Sequence, residues 1–263
     1  MLRIASEAAR VVMSVYTRPF AVDYKAPADP VTEADRLANA LICERLAAEF
    51  PGVPIVAEES DPSSFGAFQT APSVFFVDPV DGTREFVERN GEFAVMIGLV
   101  ESGRAVASVI HAPARNEVFA GWVGDGAFLF DRGEQTPINV SAIDRIRDGR
   151  LVGSRSHRNA ILERAIQKLE PREFVVMGSA GLKGTLVARG EVEAYVAPGY
   201  AGKRWDACAT DALVTAAGGM LTDTYGDAID YQGATLSNDR GLMASNGRVH
   251  EALVRELAEL RAE

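Results

Sequence analysis

The chain has 263 residues, 47% of them hydrophobic, and a formal net charge of −10. A chain of this length can bury a large core, either as one domain or as two closely packed halves. The acidic charge, without a run of lysines and arginines, argues against a nucleic-acid polymer or an anionic membrane surface as partner. A small phosphorylated substrate remains compatible, because bound metal ions reverse the local sign of the charge.

The cysteines and the N-terminal stretch bear on the compartment. Cys43 and Cys208 stand far apart in unrelated contexts, which favours reduced thiols over a disulfide framework. The first residues carry charges at helical spacing and lack the long apolar core of a signal peptide. No stretch approaches the roughly 20 apolar residues of a membrane span. We therefore expect a soluble, cytoplasmic protein without membrane contact.

The beginning of the chain predicts two helices joined by a loop. Apolar residues recur at helical spacing over residues 2–18, with charges on the opposite face. A second helix is expected from Ala34 to Phe50, with Asp35 in its first turn, where an acid complements the helix dipole. Between the two helices, residues 19–30 are expected to form an irregular loop that carries Lys25.

Two short apolar strands each end in a pair of acids. Residues 53–57 and 74–77 are rich in β-branched and aromatic side chains, which favours buried strands. The acids that follow them are Glu58, Glu59, Asp78 and Asp81. Ligand sites gather at the carboxyl ends of strands in α/β architectures, although a lone pair of glutamates is more typical of solvated surface.

The turn from Asp78 to Thr83 has the composition of a metal site. Its proline and glycine let the chain fold tightly enough for the two aspartates to point into one small volume. Two like charges raise each other's pKa unless a cation lies between them. Carboxylate oxygens, with the carbonyl of Val80, are ligands typical of Mg²⁺. The alternative is a plain turn whose acids only accept local hydrogen bonds. Thr83 is expected to cap a helix over residues 84–89.

The next part of the chain predicts a β-meander that serves as scaffold. Turn residues at Glu101–Arg104 and Gly124–Gly126 separate runs of strand-forming residues. The expected strands cover residues 93–100, 105–111, 117–122 and 127–130. The polar stretch 131–150 is the candidate boundary between two halves, 1–145 and 146–263.

The second half alternates strands and helices. Strands are expected at the start of 151–157 and at 174–177, 193–197, 220–223 and 241–245. Helices are expected at 160–169, from Lys183 to near Gly190, from Asp206 to Gly218, and at 249–260. His157 and Lys183 each follow a strand, so they could converge on an anion, although each alone is typical of surface. Asp206 is expected to cap its helix. It would then be either a helix cap alone or a helix cap that also binds a ligand.

Four motifs, in this order and spacing, resemble the inositol monophosphatase and fructose-bisphosphatase superfamily, a group of lithium-sensitive, Mg²⁺-dependent phosphatases. The motifs are Pro30–Asp35, Ala57–Ser60, Asp78–Thr83 and the stretch from Trp205-Asp206 through Gly218-Gly219. The resemblance extends from about residue 1 to residue 260. It implies a mixed α/β (α+β) fold, a layered αβαβα sandwich of the sugar-phosphatase type, and a possible homodimer.

The same resemblance implies a catalytic apparatus. Two or three Mg²⁺ ions would be held by Glu58, Asp78, the Val80 carbonyl, Asp81 and Asp206. The catalytic residues would be Asp35, Glu58 and Thr83, with Thr83 orienting the attacking water and Asp35 accepting from Thr83. Lys25 matches a lysine near the site.

Within the superfamily, the segments 81–93, 154–157, 181–183 and 202–208 look more like 3'(2'),5'-bisphosphate nucleotidase than inositol monophosphatase. The implied reaction removes the 3'-phosphate of 3'-phosphoadenosine 5'-phosphate, and His157, Ser179 and Lys183 are candidates for the second phosphate. The implied substrate contacts are Val80, Asp81, Gly82, Thr83, His157, Ser179, Lys183 and Asp206, with Lys25, Glu59 and Arg204 as further candidates. Inositol or sugar-phosphate hydrolysis is the alternative, and a catalytically silent metal- or ligand-binding regulator is an alternative of another class.

Overall fold

The computed structural model describes residues 1–27, 29–156 and 159–262. The helices of this part of the chain are α1 (Leu2–Tyr16), α2 (Glu33–Glu49), α3 (Thr83–Val87), α4 (Ala160–Leu169), α5 (Ala180–Ala188), α6 (Arg204–Ala216) and α7 (His250–Ala262). Its strands are β1 (Val22–Ala26), β2 (Asp29–Thr32), β3 (Ile55–Ala57), β4 (Ser73–Asp81), β5 (Ala94–Glu101), β6 (Arg104–Ala112), β7 (Glu117–Trp122), β8 (Gly126–Asp131), β9 (Glu134–Ile138), β10 (Arg150–Ser154), β11 (Glu173–Met177), β12 (Ala194–Ala197), β13 (Met220–Thr222) and β14 (Leu242–Ser245).

Most strands belong to two sheets. The larger has the order β3-β4-β5-β6-β7-β8-β9, antiparallel except for the parallel pair β3 and β4. The smaller has the order β11-β10-β12-β14-β13, with parallel pairing on both sides of β10 and antiparallel pairing on both sides of β14. The strands β1 and β2 form a separate two-stranded ribbon.

The helices form three layers around these sheets. Helices α1 and α2 cover one face of the seven-stranded sheet, with Ile4 and Ile42 in the shared core. Helices α5 and α6 lie between the two sheets, and α4 and α7 cover the far face of the five-stranded sheet. Four helix–sheet interfaces result, each removing one helical face and one sheet face from water. The predicted αβαβα sandwich is confirmed.

Helix α6 lies very close to the seven-stranded sheet because β5 has a glycine at the contact. A Cβ atom on Gly98 would stand 2.5 Å from the Sγ of Cys208 and 2.8 Å from the backbone nitrogen of Ala209. Both distances are shorter than van der Waals contact allows. The glycine therefore sets the height of α6 above the sheet, and with it the position of Asp206.

In the first 90 residues, the structure differs from the expected elements in three places, and in the second half α5 begins at Ala180 and not at Lys183. The segment 19–30, expected to be a loop, contributes most of the ribbon β1–β2. The residues of β1 are largely exposed, so the sequence shows no alternation of apolar and polar residues there. Strand β4 continues through Asp81, with a shift in register between Asp78 and Asp81, instead of ending before Pro79. The helix after Gly82 is a single turn, α3, so Thr83 is its first residue and not its cap.

The polar stretch 131–150 is only partly a connection. It contains β9, which completes the seven-stranded sheet, and the five-stranded sheet begins with β10. The division into 1–145 and 146–263 remains a prediction. Among the described residues, every helix falls short of the length or apolar content that crossing a bilayer requires.

Candidate active site

A cleft of about 550 Å³ opens between the two sheets. It is lined by the carboxyl end of β4, the first turns of α3, α5 and α6, and the segment that follows β12. Lys25 and Asp29 of the β1–β2 ribbon line it as well. The cleft therefore collects side chains from both halves of the chain.

Three aspartates meet in this cleft. Carboxylate oxygens of Asp78, Asp81 and Asp206 all lie within 4.8 Å of one another. The shifted register at the end of β4 directs the first two to the same place, and the first turn of α6 supplies the third. Glu58, which follows β3 beside β4, lines the same cleft. The predicted convergence of acids from three parts of the chain is observed.

The electrostatics of this cluster favour a cation. Burial, followed by the charges of neighbouring carboxylates, raises the pKa of Asp78 and that of Asp206. Burial also raises the pKa of Glu58 to about 6, against the opposing effect of Lys25. Crowded, desolvated carboxylates are stabilised in their charged form by a cation between them. The donor set is entirely oxygen, which fits a hard divalent metal ion.

Lys25 neutralises part of this acidity. Its Nζ donates to Glu58 Oε1 at 2.6 Å and to Glu59 Oε1 at 2.7 Å. Burial opposes the charged form of Lys25, but the two carboxylates outweigh it and raise the pKa of the lysine. The structure thus brings the predicted Lys25 and Glu59 to the rim of the cluster.

Thr83 and Asp35 are joined by a hydrogen bond. The Thr83 hydroxyl lies 3.0 Å from Asp35 Oδ1 and also 3.0 Å from the carbonyl oxygen of Val80. The other oxygen of Asp35 accepts from the backbone nitrogen of Thr32 at 2.8 Å and from its hydroxyl at 2.6 Å. Burial raises the pKa of Asp35, although the bonds from Thr32 and Thr83 oppose this. The bonds from Thr32 fix the Asp35 carboxylate, and this carboxylate in turn fixes the hydroxyl of Thr83.

Asp81 is bound to the first turn of α5. Its oxygens accept from the backbone nitrogens of Ala180 at 3.0 Å and Gly181 at 2.7 Å, and from the Ser179 hydroxyl. The Ser179 oxygen also accepts from the backbone nitrogen of Leu182, which caps the helix. Ser179 therefore serves the carboxylate and the helix, and its predicted contact with a phosphate remains a prediction.

Lys183 lies inside the protein at the edge of the cleft. Its Nζ donates to the Ser179 carbonyl oxygen at 2.6 Å and lies 5.1 Å from the centre of the Tyr195 ring. Burial lowers the pKa of this lysine, with the nearby carboxylates opposing the shift. His157, its predicted partner, falls outside the described residues. Of the residues predicted to contact a second phosphate, the structure describes Ser179 and Lys183, and Lys183 contributes a buried amine.

The first turn of α6 differs from its prediction. Lys203, not Asp206, is the cap residue, and Asp206 Oδ2 accepts from the Lys203 backbone nitrogen at 2.6 Å. Arg204 does not belong to the set of described residues that line the cleft. Its side chain instead donates to the Asp230 carbonyl oxygen at 2.9 Å and to Asn238. The structure does not bring Arg204 to the substrate side.

Several cleft residues were not predicted from the sequence. They are Arg84, Glu85, Tyr200 and Lys203. Glu85 is buried and accepts from the Ser156 hydroxyl at 2.5 Å, which ties α3 to the segment after β10. Arg84 and Glu85 directly follow the Asp78–Thr83 motif, a signal that could have indicated them. Tyr200 lies in an irregular segment without periodicity, and no local pattern indicates it.

This chain has the same architecture as other proteins whose structures are solved. The extragenic suppressor protein SuhB of Bartonella henselae superimposes with a TM-score of 0.84 at 30% identity, covering 98% of this chain and 96% of that chain. The IMPase TM1415 of Thermotoga maritima superimposes with a TM-score of 0.83 at 28% identity, covering 99% and 96%. The layered fold and its acidic cleft define a phosphatase, which is a hydrolase.

The model of the inositol monophosphatase family matches residues 2–262. The chain therefore belongs to the inositol monophosphatase family, whose members are metal-dependent phosphatases of small phosphorylated substrates. Among curated proteins, the chain is similar to the 3'(2'),5'-bisphosphate nucleotidase CysQ of Escherichia coli (strain K12). The two are 36% identical over 234 residues, which cover 87% of this chain and 91% of that protein.

Proposed function

We propose that this chain is a Mg²⁺-dependent phosphomonoesterase that removes the 3'-phosphate of 3'-phosphoadenosine 5'-phosphate. The proposed reaction rests on one observation. Asp78, Asp81 and Asp206 converge in one cleft, beside Thr83, which is hydrogen-bonded to Asp35. The choice of substrate is supported by the name of the Escherichia coli relative, to which this chain is similar over most of both lengths.

The metal would be held by Glu58, Asp78, the Val80 carbonyl, Asp81 and Asp206, as two or three ions. Bound Mg²⁺ polarises a phosphate, lowers the pKa of a water and neutralises a leaving alkoxide. Burial, followed by the charges of neighbouring carboxylates, raises the pKa of Asp78 and of Asp206, so protons compete with the metal for this site and metal binding should strengthen as the pH rises.

Thr83 has the position and chemistry to orient a water. When its hydroxyl donates to Asp35, the lone pairs of the same oxygen are left to accept a hydrogen from a water on the cleft side. Asp35 holds the threonine in that orientation because its second oxygen is fixed by two bonds from Thr32. A positioned acceptor of this kind restricts the water to a productive approach.

The second phosphate of the substrate would bind near Lys183, the buried amine at the edge of the cleft. An ammonium group that burial has stripped of water regains favourable interactions when an anion arrives. His157 and Ser179 are the further candidates for this contact, and Val80 and Gly82, which line the cleft, would lie beside the first phosphate. This second site is what would separate a bisphosphate from a monophosphate substrate.

The test is a comparison of two substrates with the purified protein in Mg²⁺. We expect a higher kcat/KM for 3'-phosphoadenosine 5'-phosphate than for inositol 1-phosphate, and adenosine 5'-phosphate as the only nucleotide product by ³¹P NMR. A preference for inositol 1-phosphate would support the second candidate, inositol monophosphatase, which the solved structures favour. Equal, negligible rates for wild type and Asp78→Asn across phosphate esters would support a binding role.

Three further properties are expected, the assembly state and the lithium inhibition from family membership alone and the location from the cysteines and the N-terminal stretch. We expect a cytoplasmic location, a homodimer and inhibition by lithium. Size-exclusion chromatography with light scattering tests the assembly state, and a lithium titration of the hydrolysis rate tests the inhibition.

A further inference from the structure

Tyr200 exposes an aromatic ring at the mouth of the cleft. The residue is 63% exposed, whereas most other large apolar side chains of the described chain are buried. It lines the same cavity as the three aspartates. The Nζ of Lys203 lies 5.8 Å from the centre of its ring, so a cation stands over it. The ring is thus presented beside the acids with most of its surface exposed, although Lys203 stands over it.

The backbone that carries Tyr200 is held firmly in place. The buried side chain of Asn238 donates to the carbonyl oxygens of Ala201 and Lys203, at 3.1 and 2.5 Å. The backbone of Asn238 adds two further bonds, accepting from Ala201 at 3.1 Å and donating to Gly202 at 2.8 Å. On the N-terminal side of Tyr200 in the chain, the Asn159 side chain donates to the carbonyl oxygen of Pro198 at 2.6 Å.

An exposed ring on a fixed backbone is suited to binding a flat ligand group. Its orientation does not have to be acquired on binding, so little conformational entropy is lost. A single exposed apolar residue is common on protein surfaces, but this one is at the entrance of a reaction cleft and has a cation beside it. Aromatic side chains stack on nucleobases in this way, and a cation beside the stack adds a cation–π contact.

We propose that Tyr200 is the surface on which the nucleobase of the substrate stacks, while the phosphates lie deeper, between the aspartates and Lys183. This inference rests on the proposed function, because only a nucleotide substrate has a base to stack. Tyr200 would add recognition of the base, which the phosphate-binding groups do not provide. Stacking uses the face of the base, which all bases share, so we expect weak discrimination between adenine and guanine.

The experiment compares three variants by steady-state kinetics with 3'-phosphoadenosine 5'-phosphate. Tyr200→Ala removes the ring, and Tyr200→Phe keeps it. Tyr225→Ala is the matched control, since Tyr225 is also exposed and also has a cation over its ring, that of Arg240 at 4.3 Å. Tyr225 is not one of the described residues that line the cleft. Thermal melting of each variant verifies that it is folded.

We expect Tyr200→Ala to raise KM for the nucleotide by about 10-fold or more with a small change in kcat. Tyr200→Phe and Tyr225→Ala should stay within about twofold of wild type. The ratio of kcat/KM for the nucleotide to kcat/KM for inositol 1-phosphate should fall in Tyr200→Ala, because inositol has no aromatic face.

Three results would overturn the inference, and they are distinguishable. If wild type hydrolyses the nucleotide and Tyr200→Ala has an unchanged KM and an unchanged substrate ratio, the stacking role is wrong and the proposed function stands. If wild type does not hydrolyse the nucleotide but hydrolyses inositol 1-phosphate, both the stacking role and the proposed function are wrong. An equal loss on both substrates in a folded Tyr200→Ala protein would also exclude base recognition.

Discussion

The carboxylate of Asp81 accepts a 2.7 Å hydrogen bond from the backbone nitrogen of Gly181, across the junction of the two halves of the chain. An acid at the end of β4 therefore both belongs to the cluster in the cleft and holds the first turn of α5. Asp78, only three residues earlier, has no such bond to α5 among the described residues, and its Oδ1 accepts from the Val80 backbone nitrogen at 3.0 Å.

This difference predicts opposite effects on stability in the absence of metal. Asp81→Asn keeps one acceptor oxygen but replaces the other by an NH2 group that faces a donor of Ser179 or of the first turn of α5, which should lower the free energy of unfolding by about 1–3 kcal/mol. Asp78→Asn keeps the acceptor for Val80 and removes a buried charge that neighbouring acids repel, which should raise it by about 1 kcal/mol. Urea unfolding in EDTA measures both values. Equal effects of the two variants would contradict this account.

The hydroxyl of Thr83 can be tested separately from its bulk. Thr83→Ala leaves nothing to accept from a water, so we expect kcat to fall by about 10²–10⁴-fold. Thr83→Ser keeps the hydroxyl and its route to Asp35, so kcat should remain within about 10-fold of wild type, with some loss from the freer rotation of serine. Single-turnover hydrolysis at saturating substrate measures the chemical step. Equal rates for the two variants would show that the hydroxyl does not act.

The acids of the site could be predicted because each is encoded locally. Asp78 and Asp81 share one tight turn, and Glu58 directly follows a strand that pairs with β4. Arg204 was misplaced because closeness in sequence does not mean closeness of side chains in a helix. It stands two positions before Asp206 in α6, and residues two apart point to different sides of a helix.

Other features depend on contacts that the sequence does not display. The bond from Ser179 to Asp81 joins residues 98 positions apart, and Ser179 adopts a left-handed φ of 56°, which is uncommon outside glycine. The β1–β2 ribbon was missed because its residues are largely exposed, so no apolar alternation marks it. Tyr200 could not be predicted as a cleft residue, because its position depends on how β12 and α6 are arranged in space.

Gly98 predicts a link between core packing and metal binding. In Gly98→Ala the new methyl group would overlap Cys208 Sγ and the backbone nitrogen of Ala209, so α6 must move away from the sheet. We expect a loss of about 1–3 kcal/mol in the free energy of unfolding. Since α6 also carries Asp206, the concentration of Mg²⁺ needed for half-maximal activity should rise.

A double variant separates the two contacts of Gly98. Cys208→Ala removes the sulfur but leaves the backbone of Ala209 in place, so it should restore only part of the stability of Gly98→Ala in a double-mutant cycle. Full additivity of the two substitutions would show that the side chains do not touch. An unchanged Mg²⁺ requirement in a destabilised Gly98→Ala protein would separate the packing of α6 from the metal site.

Asp211 predicts a pH dependence of stability. It lies in α6, where it accepts from the Tyr231 hydroxyl at 2.8 Å and from the Thr215 hydroxyl at 3.2 Å. Burial raises its pKa to about 6, despite these bonds, from 3.8. A carboxyl with a raised pKa in the folded state binds a proton more tightly there than in the unfolded chain. Its contribution to stability is therefore present below pH 4 and is lost as the pH rises to about 6.

The matched variant is Asp211→Asn, which cannot titrate and keeps an acceptor for one of the two hydroxyls. Glu58, an acid of the cleft, titrates in the same pH range, so the test is the difference between the two proteins. Relative to wild type, the variant should gain on the order of 1–3 kcal/mol between pH 4 and pH 7, with the gain complete above pH 6. Urea unfolding in EDTA at pH intervals measures this difference. Parallel stability curves for the two proteins would show that Asp211 titrates alike in the folded and unfolded states.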